Sequence, residues 1–221
     1  MTIRFEDVTI GPFQGLTFKV EAGAVCKIVT EAEYEKEVLI QALAGQIQPE
    51  KGRIFLFEKD IWAISEKEAL GLFQRVGLVF GEGGLVSNLK VWENIALPVW
   101  YHKGVPPSKI EARVADLLIR LGFEAEGLAE YVARMPGDLP VHEKQLIALV
   151  RALLMEPEFM VYEEMLKQLS PEVTRRVLEL TREFHAGSAG RTSLFISPDE
   201  QALQDLECDI FLRQQGRGMV S

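Results

Sequence analysis

The chain has 221 residues, 48% of them apolar, and a formal charge of −9. That length can bury one core, with or without an inserted subdomain, while no apolar run approaches the ~20 residues that cross a bilayer. The acidic balance argues against a nucleic-acid surface, His102, His142 and His185 lack metal-ligand spacing, and Met1-Thr2-Ile3-Arg4-Phe5 opens with strand-like alternation where a signal peptide would be apolar.

Residues 3–10 and 16–20 alternate like a hairpin at a sheet edge. Val25 to Thr30 reads as a buried strand, and a helix is predicted from about 36 to 44, closed by Gly45. Between them lies Glu31-Ala32-Glu33-Tyr34-Glu35-Lys36-Glu37. Strand, loop, lysine, helix is the layout of a phosphate-binding loop, whose glycines let backbone N–H groups cradle phosphates. Here Thr30, Glu33 and Glu35 hold the three glycine places, Glu37 stands where Ser or Thr would hold magnesium, and Lys36 alone is kept. Pro49 and Gly52 mark a turn into a strand at 53–57, residues 66–74 read as helix, and 76–80 as a short buried strand. From 82 to about 155 the pattern is helical, with segments at 91–103, 108–122, 126–134 and 141–155. A strand at 159–162 runs into Glu163-Glu164, a helix covers 171–185, and strands at 192–196 and 209–212 complete the chain. Strands alternating with helices imply a mainly parallel sheet. Cys26 and Cys208 both fall in predicted strands and read as core residues, not as a disulfide or metal pair.

A second layer of sequence order is more specific. Leu43-Ala44-Gly45, Pro49, Gly52, Ile54 and Asp60-Ile61 are followed by Val76-Gly77-Leu78-Val79-Phe80, then by Leu89, Val91, Glu93, Asn94, Ile95 and Leu97-Pro98. Gln145 to Ala148, Arg151-Ala152-Leu153-Leu154 and Pro157 close the series. Over nearly the whole chain this order resembles the nucleotide-binding domain of an ABC transporter. The resemblance implies an α/β, P-loop NTPase-like ABC ATPase fold: a mainly parallel core sheet, an antiparallel N-terminal β subdomain and an inserted helical subdomain. It further implies one domain over 1–221, with core and β subdomain at 1–81 and 156–221 and helices at 82–155. Gly83 to Leu89, with Ala96-Leu97-Pro98 and Tyr101-His102, looks most like the MCE/Mla-type lipid-transport branch.

The departures fall on the residues that do chemistry in that family. Gly81 stands for the Q-loop glutamine, and Leu139-Pro140-Val141-His142-Glu143 for the signature sequence. Glu163 stands for the magnesium-binding aspartate, Ser170 for the D-loop aspartate and Pro198 for the switch histidine; Ile10 takes the place of the adenine-stacking aromatic. Glu164 matches the catalytic glutamate, and only it and Lys36 survive. The nucleotide set Thr30, Glu33, Glu35, Lys36, Glu37, Gly81, Glu163 and Pro198 is therefore expected to be vestigial, with no catalytic residue, no metal and no cofactor. ATP and magnesium enter only if the site works unexpectedly.

The favoured expectation is a scaffold or regulator, cytoplasmic and peripheral on the inner face of the cell membrane. It would dock a membrane permease through Leu85, Val86 and Trp92 and pair as a homodimer or with another ABC ATPase. No nucleic acid is expected. The alternatives are a weak ATPase using Lys36, Glu163 and Glu164 in an unusual geometry, and a soluble interaction protein derived from an ABC ATPase. Lys36 is expected to pair with a neighbouring glutamate, and the sharper alternative has the acidic loop facing a second chain's His142 and Lys144.

Overall fold

In the computed structural model, which describes residues 1–220, two sheets enclose a first helix and a set of further helices covers the outer face. Strands β1 (Ile3–Ile10), β2 (Phe13–Val20), β4 (Lys51–Leu56) and β5 (Lys59–Asp60) form an antiparallel sheet in the order β2-β1-β4-β5. β1 buries Ile3, Phe5, Val8 and Ile10, so its alternation slips by one residue. The slip falls at Asp7, whose φ is 48°, where the ladder register shifts between Phe5 and Val8. This bulge keeps both apolar halves of the strand on one face. Gly52 (φ +82°) passes so close that a Cβ there would stand 2.4 Å from the carbonyl oxygens of Glu6 and Asp7, which only glycine avoids.

The second sheet has six strands in the order β10-β9-β3-β8-β7-β6. β3 (Val25–Val29), β6 (Val76–Val79), β7 (Phe159–Glu163), β8 (Thr192–Ser197) and β9 (Ile210–Gln215) run parallel, and β10 (Gly218–Val220) adds antiparallel to β9. Its central strands are continuous apolar runs because both faces are covered. Phe159, Val161, Leu194 and Ile196 join the core shared with α1 (Glu33–Leu43) and the antiparallel sheet, whereas Met160, Tyr162 and Phe195 join the core on the helical side.

That helical side carries α3 (Val91–Lys103), α4 (Glu111–Leu121), α5 (Leu128–Val132) and α6 (Val141–Leu154). α4 buries Val114, Leu117, Leu118 and Leu121, an i, i+3, i+4, i+7 stripe, while α6 is buried at nearly every position from Gln145 to Leu154. α2 (Glu66–Phe73) starts with a Ser65/Glu68 capping box. α7 (Pro171–Ala186) starts with Pro171 after Ser170, whose hydroxyl accepts from the Val173 N–H.

The order of elements follows the sequence expectation, with local corrections. Residues 82–90, expected to open the helical region, are turns and irregular backbone. Gly83 and Gly84 take φ of +81° and +54°, and buried Asn94 satisfies the loop by accepting from the Val86 N–H and donating to the carbonyls of Val86, Leu89 and Lys90. α1 starts at Glu33, three residues early, because Glu33 and Glu35 in its first turn suit the positive end of the helix dipole. Cys208 precedes β9 and is only half-buried, so Cys26 alone is a core cysteine. β2 begins at Phe13, and the two- and three-residue strands β5 and β10 were too short to show periodicity.

Candidate functional site

The end of β3 leads into the site. Thr30 is buried, its N–H donates to the Ser197 carbonyl and its hydroxyl to the Ala32 carbonyl, and helix begins at Glu33. Strand and helix are thus separated by residues 30–32 alone, and no residue from 30 to 37 has a positive φ. A phosphate cradle needs consecutive N–H groups turned to a common point, usually through left-handed glycines. Here the first turn of α1 fills that stretch of chain.

Lys36 lies in this turn with its side chain 5% exposed, and its ammonium is already fully engaged. Its Nζ lies 2.6 Å from Glu33 Oε2, 2.7 Å from Glu164 Oε2 and 3.0 Å from Glu163 Oε1. Lys167, which sequence reasoning missed, closes the group: its Nζ lies 2.7 Å from Glu164 Oε1 and 3.1 Å from Glu33 Oε1. Two ammoniums and three carboxylates therefore form one connected lattice across α1, the end of β7 and the turn after it. Burial alone would push the Lys36 ammonium down, but hydrogen bonds to Glu164, Glu33 and Glu163 outweigh it and hold the group above the ordinary lysine range. The Lys36 hydrogen bond holds the Glu33 carboxyl below the ordinary range, and Glu164 and Glu33 raise Lys167. Glu164 sits at a φ of 46°, a left-handed conformation fixed by its two lysines and by its N–H to the Ile196 carbonyl.

The other predicted residues sit around this lattice or apart from it. Glu163 Oε2 accepts from the Gly81 N–H at 3.3 Å, and the buried Gln145 amide donates to the Gly81 carbonyl, so the lattice reaches α6. Glu31 turns away to accept from the Gly216 N–H at 2.8 Å, Glu37 is exposed, and Glu35 is half-buried with Oε2 lacking a hydrogen-bond partner. Pro198 follows β8, where the Asp199 N–H donates to Ser197 Oγ. Leu139 is buried; Pro140, Val141 and His142 are exposed at the start of α6; Glu143 accepts from the Tyr131 hydroxyl. Residues 139–143 make no ion pair or side-chain hydrogen bond to the Lys36 lattice among the described residues. Ile10, at the expected adenine position, is buried in β1.

Of the docking candidates, Val86 is exposed, Leu85 packs on the helical core, and Trp92 is partly buried against that core, where it lines an open apolar groove of about 340 Å³ with Val114, Leu118 and Leu128. A different apolar surface is open. Leu70, Leu97, Trp100 and Tyr101 are exposed, and a groove of about 320 Å³ between α2, α3 and α6 is lined by Leu70, Phe73, Pro98, His102, Arg151 and Met155. The signal was in the sequence: within α3, Ile95 to Tyr101 is apolar over nearly two turns, so one apolar face had to remain outside.

Comparison with known proteins fits this geometry. The model of the family described as "ABC transporter" matches residues 13–167. The methionine import ATP-binding protein MetN of Cereibacter sphaeroides is 31% identical over 201 residues, which is 91% of this chain and 55% of that protein. MetN of Rhizobium meliloti is also 31% identical, over 91% of this chain and 54% of its own length. The chain thus spans about half the length of these curated relatives. Among solved structures, an ATP-binding cassette captured as a post-hydrolysis dimer with ADP and Pi superposes with a TM-score of 0.85 at 14% identity, covering 99% of this chain and 97% of that one. CbiO1 of Clostridium perfringens gives 0.78 at 22% identity, over 100% of this chain and 87% of that one. At these identities the structural likeness establishes the fold.

Proposed function

This chain belongs to the ABC transporter family, and on that premise we propose that it is a non-catalytic subunit of a membrane transport complex, a docking body that no longer works as a motor. One observation carries the reading: the lysine that would meet the phosphates is already held by Glu33, Glu163 and Glu164 within 3.0 Å. ATPases of the family use ATP and magnesium, and the residues here do not suit that pair. A carboxylate ~4 Å from a phosphate costs about 4 kcal/mol at an effective dielectric of 20, and micromolar binding is worth only about 8 kcal/mol in total. Two of the glutamates would cancel an ordinary affinity, and the first turn of α1 offers no glycine loop to wrap a phosphate.

In this reading residues 1–81 and 156–221 form the core with its β subdomain and 82–155 the helical part. The exposed Leu97, Trp100 and Tyr101 beside the α2–α3–α6 groove receive a permease on the inner face of the cell membrane. The chain pairs with itself or with another ABC ATPase. Cargo is chosen by the permease: Gly83 to Leu89, with Ala96-Leu97-Pro98 and Tyr101-His102, favour a lipid system, while the relatives are named for methionine import. Purifying the chain with its permease identifies the system.

Calorimetric titration with millimolar ATP-magnesium tests the reading. No heat of binding is expected. Micromolar binding that Lys36→Ala abolishes would favour the second reading, a weak ATPase built on Lys36, Glu163 and Glu164.

A further inference from the structure

The groove beside Trp92 is separate from the α2–α3–α6 groove, and the two share no residue. Its floor is Val114 and Leu118, which α4 buries, and its walls are Trp92 on α3 with Leu128 and Val132 on α5. α5 is little more than one turn long and buries none of its residues, so Leu128 and Val132 lean on the helical core without closing over α4. Exposed Ala129 and half-buried Ala115 stand where longer side chains would fill the space. An apolar trough between helices suits a third helix, whose i, i+3, i+4 and i+7 side chains enter it.

Charge narrows what that helix can be. Glu111 lines the trough, Glu124 and Glu126 lie in the connection that leads into its far wall, and Glu130 lies on that wall; none of the four makes an ion pair among the described residues. The cations of the same segment are committed elsewhere: Arg113 to Glu156, Arg120 to Glu183, and Arg134 over the ring of Tyr131. An acidic rim draws a basic partner, and a second copy of a chain with formal charge −9 would bring the wrong sign. We propose that the α3–α4–α5 trough docks an amphipathic helix of a partner protein, apolar on one face and rich in lysine or arginine on its flanks. The apolar face supplies the affinity and the rim supplies the choice of partner, because exposed ion pairs are individually weak. This partner is seated clear of the permease groove, and the inference stands whether or not the chain binds ATP.

The probe is a labelled synthetic helix of leucine and lysine at helical spacing, titrated with the wild-type chain and read by fluorescence anisotropy. The same peptide with glutamate for lysine is its control. The lysine peptide should bind at least about tenfold tighter than the glutamate peptide, and Ala129→Arg should weaken it by about tenfold. Ala129→Gln, which fills the trough without adding charge, should weaken it too. Glu111→Gln should cost about threefold, a difference that shrinks as salt is raised. Positions 111 and 129 are exposed, so these variants should melt with wild type, and Trp100→Ser/Tyr101→Ser should leave peptide binding unchanged. The proposal is overturned if the lysine peptide does not bind, if the glutamate peptide binds as well, or if neither Ala129 variant weakens binding. Loss of binding only in Trp100→Ser/Tyr101→Ser also overturns it, as does a wild-type dimer that Ala129→Arg dissociates, which would give the trough to a second copy.

Discussion

Replacing Lys36 by methionine distinguishes a structural cation from a phosphate ligand. As a phosphate ligand in a solvated loop, the lysine could be lost with little effect on folding. Here its side chain is 5% exposed and lies against Glu163 and Glu164, themselves 13% and 12% exposed, so its loss strands two poorly solvated carboxylates beside each other. Removing one partner of a buried pair costs about 3–5 kcal/mol. Lys167 still holds Glu164, and Glu33 can turn to water, so the lower end applies, about 3 kcal/mol. For 221 residues that lowers Tm by roughly 6–12 °C. Urea and thermal unfolding of wild type and Lys36→Met measure it, with Lys36→Met/Glu164→Gln expected to recover part of the loss. A Lys36→Met protein within about 0.5 kcal/mol of wild type, the ordinary span for a surface change, refutes the reasoning.

The lattice should also show in the pH dependence of stability. Glu33 titrates below its ordinary 4.5 in the fold, so its contribution is present above that pH and is lost as pH falls through the folded value. Lys36 and Lys167 titrate above their ordinary 10.5, so theirs is present below that pH and is lost as pH rises through the raised values. Wild type minus Lys36→Met should therefore give a plateau across neutral pH that falls at both ends, and a flat difference contradicts the lattice. Asn94→Ala should cost about 1–3 kcal/mol by taking the partner from the Val86 N–H and the Leu89 carbonyl, with faster amide exchange confined to 82–90. Gly52→Ala should cost about 2–4 kcal/mol, read by urea unfolding, because the added carbon meets backbone at 2.4 Å in a left-handed residue. Trp100→Ser with Tyr101→Ser should leave Tm unchanged while reducing co-purification of the permease; retained co-purification moves docking elsewhere.

Much of this was legible in the residues because it depended on local period. The long strands and helices announce themselves by alternation or stripe, and Ser65 with Glu68 or Ser170 with Pro171 mark helix starts by composition. The replacement of glycines around Lys36 was equally plain. What could not be read was where each carboxylate goes. Glu31 and Glu33 are two residues apart, yet one accepts from the β9–β10 turn and the other bridges two lysines. Lys167 carries no motif, and only the return of β7 beside α1 brings it to Glu33. Trp92 and Trp100 illustrate the same limit on α3: eight residues apart on one helix, the first packs partly buried against the helical core and the second is 57% exposed. Tertiary packing makes that choice.

The decisive measurement is the thermal midpoint of the wild-type chain with and without millimolar ATP-magnesium. A working site at a hundred times its dissociation constant gains about 2.7 kcal/mol, or roughly 5–11 °C for a chain of this size. A lysine already surrounded by its own protein's carboxylates predicts no shift beyond that of magnesium chloride alone, and a rise of several degrees specific to ATP would contradict it.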